Sequence, residues 1–273
     1  MATIDTGTDD LLAELEGGVL TLTLNRPQAR NAMSDAMNQA LGRRLAAAEL
    51  DPQVRCVVLT GAGPGFCAGG DVKGMAERNA AGGRQMSIDE AIHAQRVTQR
   101  ETAGRLFKMP KPTLAALPGA AAGAGLSLAL ACDLRIMART AFLTTAFARV
   151  GLAGDYGGTY FLTQLVGAAK ARELYFLSER VTAEEALRLG LANWVVEPAE
   201  LAAKTREIAA RLAAGPAVCF RYMKENLNRA MGGEVDECLD LEATHHVHSA
   251  STADHREAAS AFVEKREPVF QGR

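Results

Sequence analysis

An α/β fold is what this 273-residue chain predicts. Twice, a short apolar run passes through a glycine-rich loop into a helical pattern, and after residue 198 only helical periodicity remains. Alternation of strand and helix argues for helices layered on a sheet. Hydrophobic content of 48% against 23% charged residues leaves enough apolar side chain for a sizeable core.

Gly18 to Leu24 alternates, with Leu20, Leu22 and Leu24 on one side, and reads as a strand that Asn25-Arg26-Pro27 ends. Ser34 caps a helix in which Met37, Leu41, Leu45 and Ala48 recur, stopped by Asp51-Pro52. Arg55 to Thr60 is a buried strand entering the first loop, Gly61-Ala62-Gly63-Pro64-Gly65-Phe66-Cys67-Ala68-Gly69-Gly70-Asp71. Ile88 to Phe107 reads as one helix, and Thr113 to Leu117 as the strand before the second loop, Pro118-Gly119-Ala120-Ala121-Ala122-Gly123-Ala124-Gly125. Leu126 to Ala131 is helical and Asp133 to Met137 extended. Thr182-Ala183-Glu184-Glu185 is a capping box opening a helix, and Leu191 to Val196 is the last strand. Helices follow over 200–213, 217–230, 234–249 and 252–265, so the chain divides into 1–198 and 199–273 at Glu197-Pro198.

Composition excludes several classes. A net charge of −2 offers no overall basic field for nucleic acid or an anionic membrane. Five cysteines without a CxxC pair suggest neither a disulfide framework nor a zinc site. Met1 to Asp10 lacks an apolar signal core, and no apolar run reaches membrane-spanning length, so a reduced cytoplasm is expected.

Each loop–helix junction leaves backbone N–H groups that can face an anion, and two junctions converging on one oxygen form an oxyanion hole. The plainer reading is that Gly and Ala permit tight strand–helix packing. Neither loop carries a dinucleotide fingerprint or a Gly-Lys-Ser/Thr cradle. Gly125-Leu126-Ser127-Leu128-Ala129 nearly matches a nucleophile elbow, for which His245, His246, His248 or His255 would be the partner. Packing is the simpler role for Ser127. The run Thr244-His245-His246-Val247-His248 lacks a completing carboxylate and reads as solvated helix surface rather than a metal site; His93 reads as surface or interface. Asp155, among glycines before a helical stretch, is either a helix-start carboxylate or a buried acid tuned for proton transfer.

Phe66-Cys67-Ala68-Gly69-Gly70-Asp71-Val72, Gly123 through Asp133 and Gly157-Gly158-Thr159 resemble the enoyl-CoA hydratase/isomerase (crotonase) superfamily. Asn25-Arg26-Pro27 with Asn31-Ala32 is similar to its opening motif, and Ala261 through Arg266 to its closing one. The resemblance, from about residue 12 onward, implies a crotonase-like spiral of ββα repeats with a helical C-terminal region that assembles homotrimers or hexamers. It further implies an acyl-CoA thioester substrate, with CoA present only as part of that substrate and no separate cofactor or metal. The thioester oxygen is then held by the Ala68 and Ala124 N–H groups, and CoA by Arg30, Ala68, Gly69, Gly70, Asp71, Val72 and Phe147, with Phe262 and Lys265 reaching a CoA bound largely by another subunit.

One departure decides the expected chemistry. Hydratases of the family carry two glutamates where this chain has Ser127 and Phe147, and neither residue handles protons at neutral pH. Asp155 falls where the family's dienoyl-CoA and ring-forming isomerases carry an aspartate. The resemblance therefore implies an isomerase that shifts a carbon–carbon double bond through Asp155. The alternatives are an ordinary enoyl-CoA hydratase, an aryl-CoA dehalogenase and a CoA-binding relative without turnover. Val72 to Arg100 is expected to shape the acyl pocket as a lid.

Overall fold

In the computed structural model, which describes residues 1–71, 74 and 86–273, two sheets share one spiralling chain. Strands β1 (Ala2–Ile4), β2 (Leu11–Glu16) and β3 (Val19–Leu24) pair antiparallel. The β2–β3 hairpin turns on Gly17-Gly18, both at positive φ, as a two-residue hairpin loop requires. Strands β4 (Cys56–Gly61), β5 (Thr113–Leu117), β7 (Leu134–Ala138) and β10 (Trp194–Val196) extend this sheet in parallel, in the order β1-β2-β3-β4-β5-β7-β10. A small second sheet is built from β6 (Ala121–Ala122), β8 (Phe142–Thr144) and β9 (Val181–Thr182). Cys67 bridges to Ala121 just after β4. Each turn of the chain thus visits the large sheet, then the small one, then a helix. The predicted α/β class holds, and the spiral has the ββα pattern.

Helix α1 (Asp35–Leu50) starts where the serine cap predicts: Ser34 Oγ accepts from Met37 N at 3.1 Å, and Met37, Leu41, Leu45 and Ala48 are buried. The helix expected over Ile88–Phe107 is two, α2 (Ile88–Glu101) and α3 (Ala103–Lys108). Thr102 breaks it at φ −109°, ψ −90°, its hydroxyl bonded back to Thr98 O. The break turns α3 into the core through Ala103 and Leu106, whereas α2 buries no residue. All eight residues of α4 (Ala124–Ala131) are buried, as an unbroken apolar run requires.

Helix α5 (Gly158–Leu177) is the helical stretch expected after Asp155, although its extent was not legible in the sequence; Gly167, at φ +75°, interrupts its periodicity midway. In α6 (Ala183–Arg188) only half of the expected capping box forms. Thr182 Oγ1 accepts from Glu185 N, but the Glu185 carboxylate pairs with Arg188. The final four helices, α7 (Leu201–Ala214), α8 (Ala217–Ala230), α9 (Val235–Ala250) and α10 (Ala253–Glu264), fall close to their predicted bounds. Through Leu201, Ile208, Ala209 and Ala213, α7 joins the core of the body. The reading of His245 as solvated surface is corrected: it is buried between α8 and α9, stacked on Tyr222 at 4.2 Å and bonded to Asn226. His93 is exposed. Among the described residues no helix is long and apolar enough to cross a membrane.

Candidate active site

The opening motif fastens the first glycine loop. Asn31, fully buried at φ +56°, donates from Nδ2 to the carbonyls of Ala62 and Gly65, both at 2.9 Å, and its Oδ1 accepts from Arg26 N. Arg26 donates to Ala32 O and pairs with Asp71 at 2.9 Å. Asp71 also accepts from Gly74 N, so its carboxylate braces the loop. Val72 lies outside the described residues, as does part of the expected lid segment.

The two glycine loops meet face to face. A Cβ on Gly69, which stands at φ +93°, would lie 2.8 Å from Ala122 O and 3.3 Å from Ala124 N. A Cβ on Gly125 would lie 2.5 Å from Cys67 O. Only glycine allows this approach. Ala124 is the first residue of α4, where a helix leaves its N–H groups without intrahelical acceptors.

Its expected partner is corrected. The Ala68 N–H donates to Arg30 O at 3.0 Å and is not available to a ligand. Two residues on, the Gly70 N–H meets no acceptor among the described residues. Gly70 and Ala124 are therefore the pair that can face one oxygen. Sequence similarity located the loop; the donor within it depends on which amide the Arg30 carbonyl occupies.

Asp155 opens the turn before α5. Its side chain is half-buried, and Oδ1 is shut from solvent without a hydrogen-bond partner. Burial pushes its carboxyl up to about 6. The Tyr156 amide beside it donates to Gln99 Oε1 on α2. The Tyr156 phenol, bonded to Asn38, is pushed up by burial and by the charges of Asp155 and Asp35. Tyr175, on α5, is raised likewise by burial and then by Asp155.

Ser127 and Phe147 lie behind the N–H pair. Ser127 Oγ donates to Gly123 O, one turn back, the usual bond of a helical serine. That fits a packing role and not a nucleophile. Phe147 is buried and stacks on Tyr175, with ring centres 5.8 Å apart and planes 10° from parallel. The space between Ser127, Phe147, Gly158 and Tyr175 has no room for a water molecule. Tyr175 went unnoticed in the sequence because the extent of the helix carrying it did.

A cleft of about 560 Å³ runs along both glycine loops, lined by Ala68, Gly119, Ala120 and Ala122 and rimmed by Arg30, Arg149 and Arg180. Arg180 also lies over the Phe142 ring at 4.4 Å. Only the first arginine was singled out from the sequence. Phe262 and Lys265, at the end of α10, do not line this cleft; Phe262 is 84% exposed. A larger cavity of about 670 Å³ lies elsewhere, between the large sheet and α7.

A family model described as enoyl-CoA hydratase/isomerase matches residues 14–273. A 1,2-epoxyphenylacetyl-CoA isomerase of Escherichia coli (strain K12) is 38% identical over 268 residues, covering 96% of this chain and 98% of that protein. A short-chain-enoyl-CoA hydratase of Clostridium acetobutylicum is 35% identical over 259 residues, covering 94% and 96%. Among solved structures, an enoyl-CoA hydratase from Bacillus anthracis superimposes with a TM-score of 0.88 at 32% identity, covering 97% of this chain and all of that one.

Proposed function

The chain belongs to the enoyl-CoA hydratase/isomerase family, and we propose that within it this protein is an acyl-CoA isomerase that moves a carbon–carbon double bond. The thioester oxygen of the substrate sits between the Gly70 and Ala124 N–H groups. Asp155 removes a proton from the carbon next to the thioester and returns it two carbons further along. The negative charge spreads onto the thioester oxygen while the proton is in transit. Each donor facing that oxygen supplies about 3 kcal/mol in the transition state. The CoA portion lies along the 560 Å³ cleft, its phosphates toward Arg30, Arg149 and Arg180.

The observation that carries this reading is the isolation of Asp155. Among the described residues it is the one carboxyl with a pKa lifted toward neutrality, which suits an acid that both takes and gives a proton. Water addition calls for a second group to position water. Ser127 and Phe147 occupy the wall behind the N–H pair, and the packing there leaves water no space. The kinship with the Escherichia coli isomerase supports the same reading.

A hydratase is the second reading, favoured by the Clostridium acetobutylicum relative named for that activity. Parallel assays of a 3-enoyl-CoA and of crotonyl-CoA separate the two. An isomerase turns over the first at least 100-fold faster than it hydrates the second. Comparable hydration would refute the proposal.

A further inference from the structure

Tyr175 reaches the turn that carries Asp155 from the far end of α5. A Cβ on Gly154 would stand 3.1 Å from its ring and 3.5 Å from its hydroxyl; one on Gly158 would stand 2.6 Å from the same hydroxyl. The phenol oxygen is thus wedged between the residue before Asp155 and the residue three after it. Stacking on Phe147 fixes the ring. The hydroxyl meets no hydrogen-bond partner among the described residues, and Asp155 Oδ1, dry and close by, has none either.

We propose that Tyr175 is a positioning residue for Asp155: when the carboxylate ionises, the phenol donates to it and holds its free oxygen toward the Gly70 and Ala124 N–H groups. The other titratable group facing Asp155 is Tyr156, whose hydroxyl is engaged by Asn38, with Asp35 of α1 and Cys67 beyond it. Of the two phenols, Tyr175 is the one whose hydroxyl has no hydrogen-bond partner among the described residues. Its phenol is raised by burial and by the Asp155 charge, so it stays protonated throughout the range in which Asp155 titrates. A hydrogen bond to a charged acceptor is worth more than one between neutral groups. Replacing Tyr175 with Phe, which removes one oxygen and keeps the stack on Phe147, should lift the Asp155 midpoint by about one pH unit.

The proposal rests on Asp155 being the proton carrier, yet its test needs no substrate. The full-length chain is labelled with carboxyl-13C aspartate, and the Asp155 resonance is assigned by its loss in Asp155→Asn. The midpoint is expected near 6 in the wild type and about one unit higher in Tyr175→Phe. The acid limb of kcat/KM should move by the same amount, with KM unchanged. An unmoved carboxyl midpoint in a folded Tyr175→Phe protein overturns the proposal. Should that variant fail to fold, the wild-type Tyr175 13Cζ resonance decides. It must inflect at the Asp155 midpoint, and lose that inflection in Asp155→Asn; a flat response overturns the idea. If the isomerase reading alone fails, these titrations still move together while turnover of 3-enoyl-CoA is absent.

Discussion

Asp155 ionises near 3.8 when unfolded and near 6 when folded, because burial penalises its charge. The folded protein binds this proton more tightly, so the contribution to stability is full below pH 3.8 and is lost as the pH climbs to about 6. Allowing for partial exposure, the loss is about 2 kcal/mol. Asp155→Asn, uncharged at every pH, should melt several degrees above wild type at pH 8 and level with it at pH 4, measured by calorimetry. A destabilised Asp155→Asn at pH 8 would mean that hydrogen bonds to the carboxylate outweigh the cost of burying its charge. Asp155 was legible in the sequence, since an acid among glycines stands out and a resemblance gave it a role. The second oxyanion donor was not. Ala68 and Gly70 are both small residues of one loop, and only the Arg30 carbonyl, brought in from the opening motif, distinguishes their amides.

At the level of elements, Lys224 ties α8 to the body. Its ammonium donates to Leu106 O at 2.9 Å and Lys111 O at 3.2 Å and pairs with Asp133 at 2.9 Å. Asp133 in turn accepts from the Thr113 amide and hydroxyl at the start of β5. Lys224→Met would leave a carboxylate and two carbonyls without their cation. It should destabilise by about 3 kcal/mol in urea titrations, whereas an effect below 1 kcal/mol would show the pin to be incidental. None of this could be read from sequence, because the partners lie about a hundred residues apart. The C-terminal helices themselves were readable from periodicity. The extent of α5 was hidden by its glycines, and with it Tyr175 and the stack that ring makes on Phe147.

For the molecule as a whole, the α/β class followed from the repeated strand–glycine loop–helix pattern and the spiral from the family resemblance, while the pairing of two sheets followed from neither. The helices after α7 leave much apolar surface uncovered: Leu227, Val247, Phe262 and Val263 are each more than two-thirds exposed. A lone chain with such a face is prone to associate. Self-association is therefore expected to bring Phe262 and Lys265 to a neighbour's cleft, which they do not reach on their own chain. Sedimentation should give three or six chain masses, and a monomer at micromolar concentration would oppose this. The site's chemistry is tested most directly in D2O, by following a 3-enoyl-CoA by NMR with wild type and with Asp155→Asn. Wild type should move the double bond and incorporate deuterium, and Asp155→Asn should slow both by at least a hundredfold. Migration and exchange at wild-type rates in Asp155→Asn would contradict the assignment of that residue as the proton carrier.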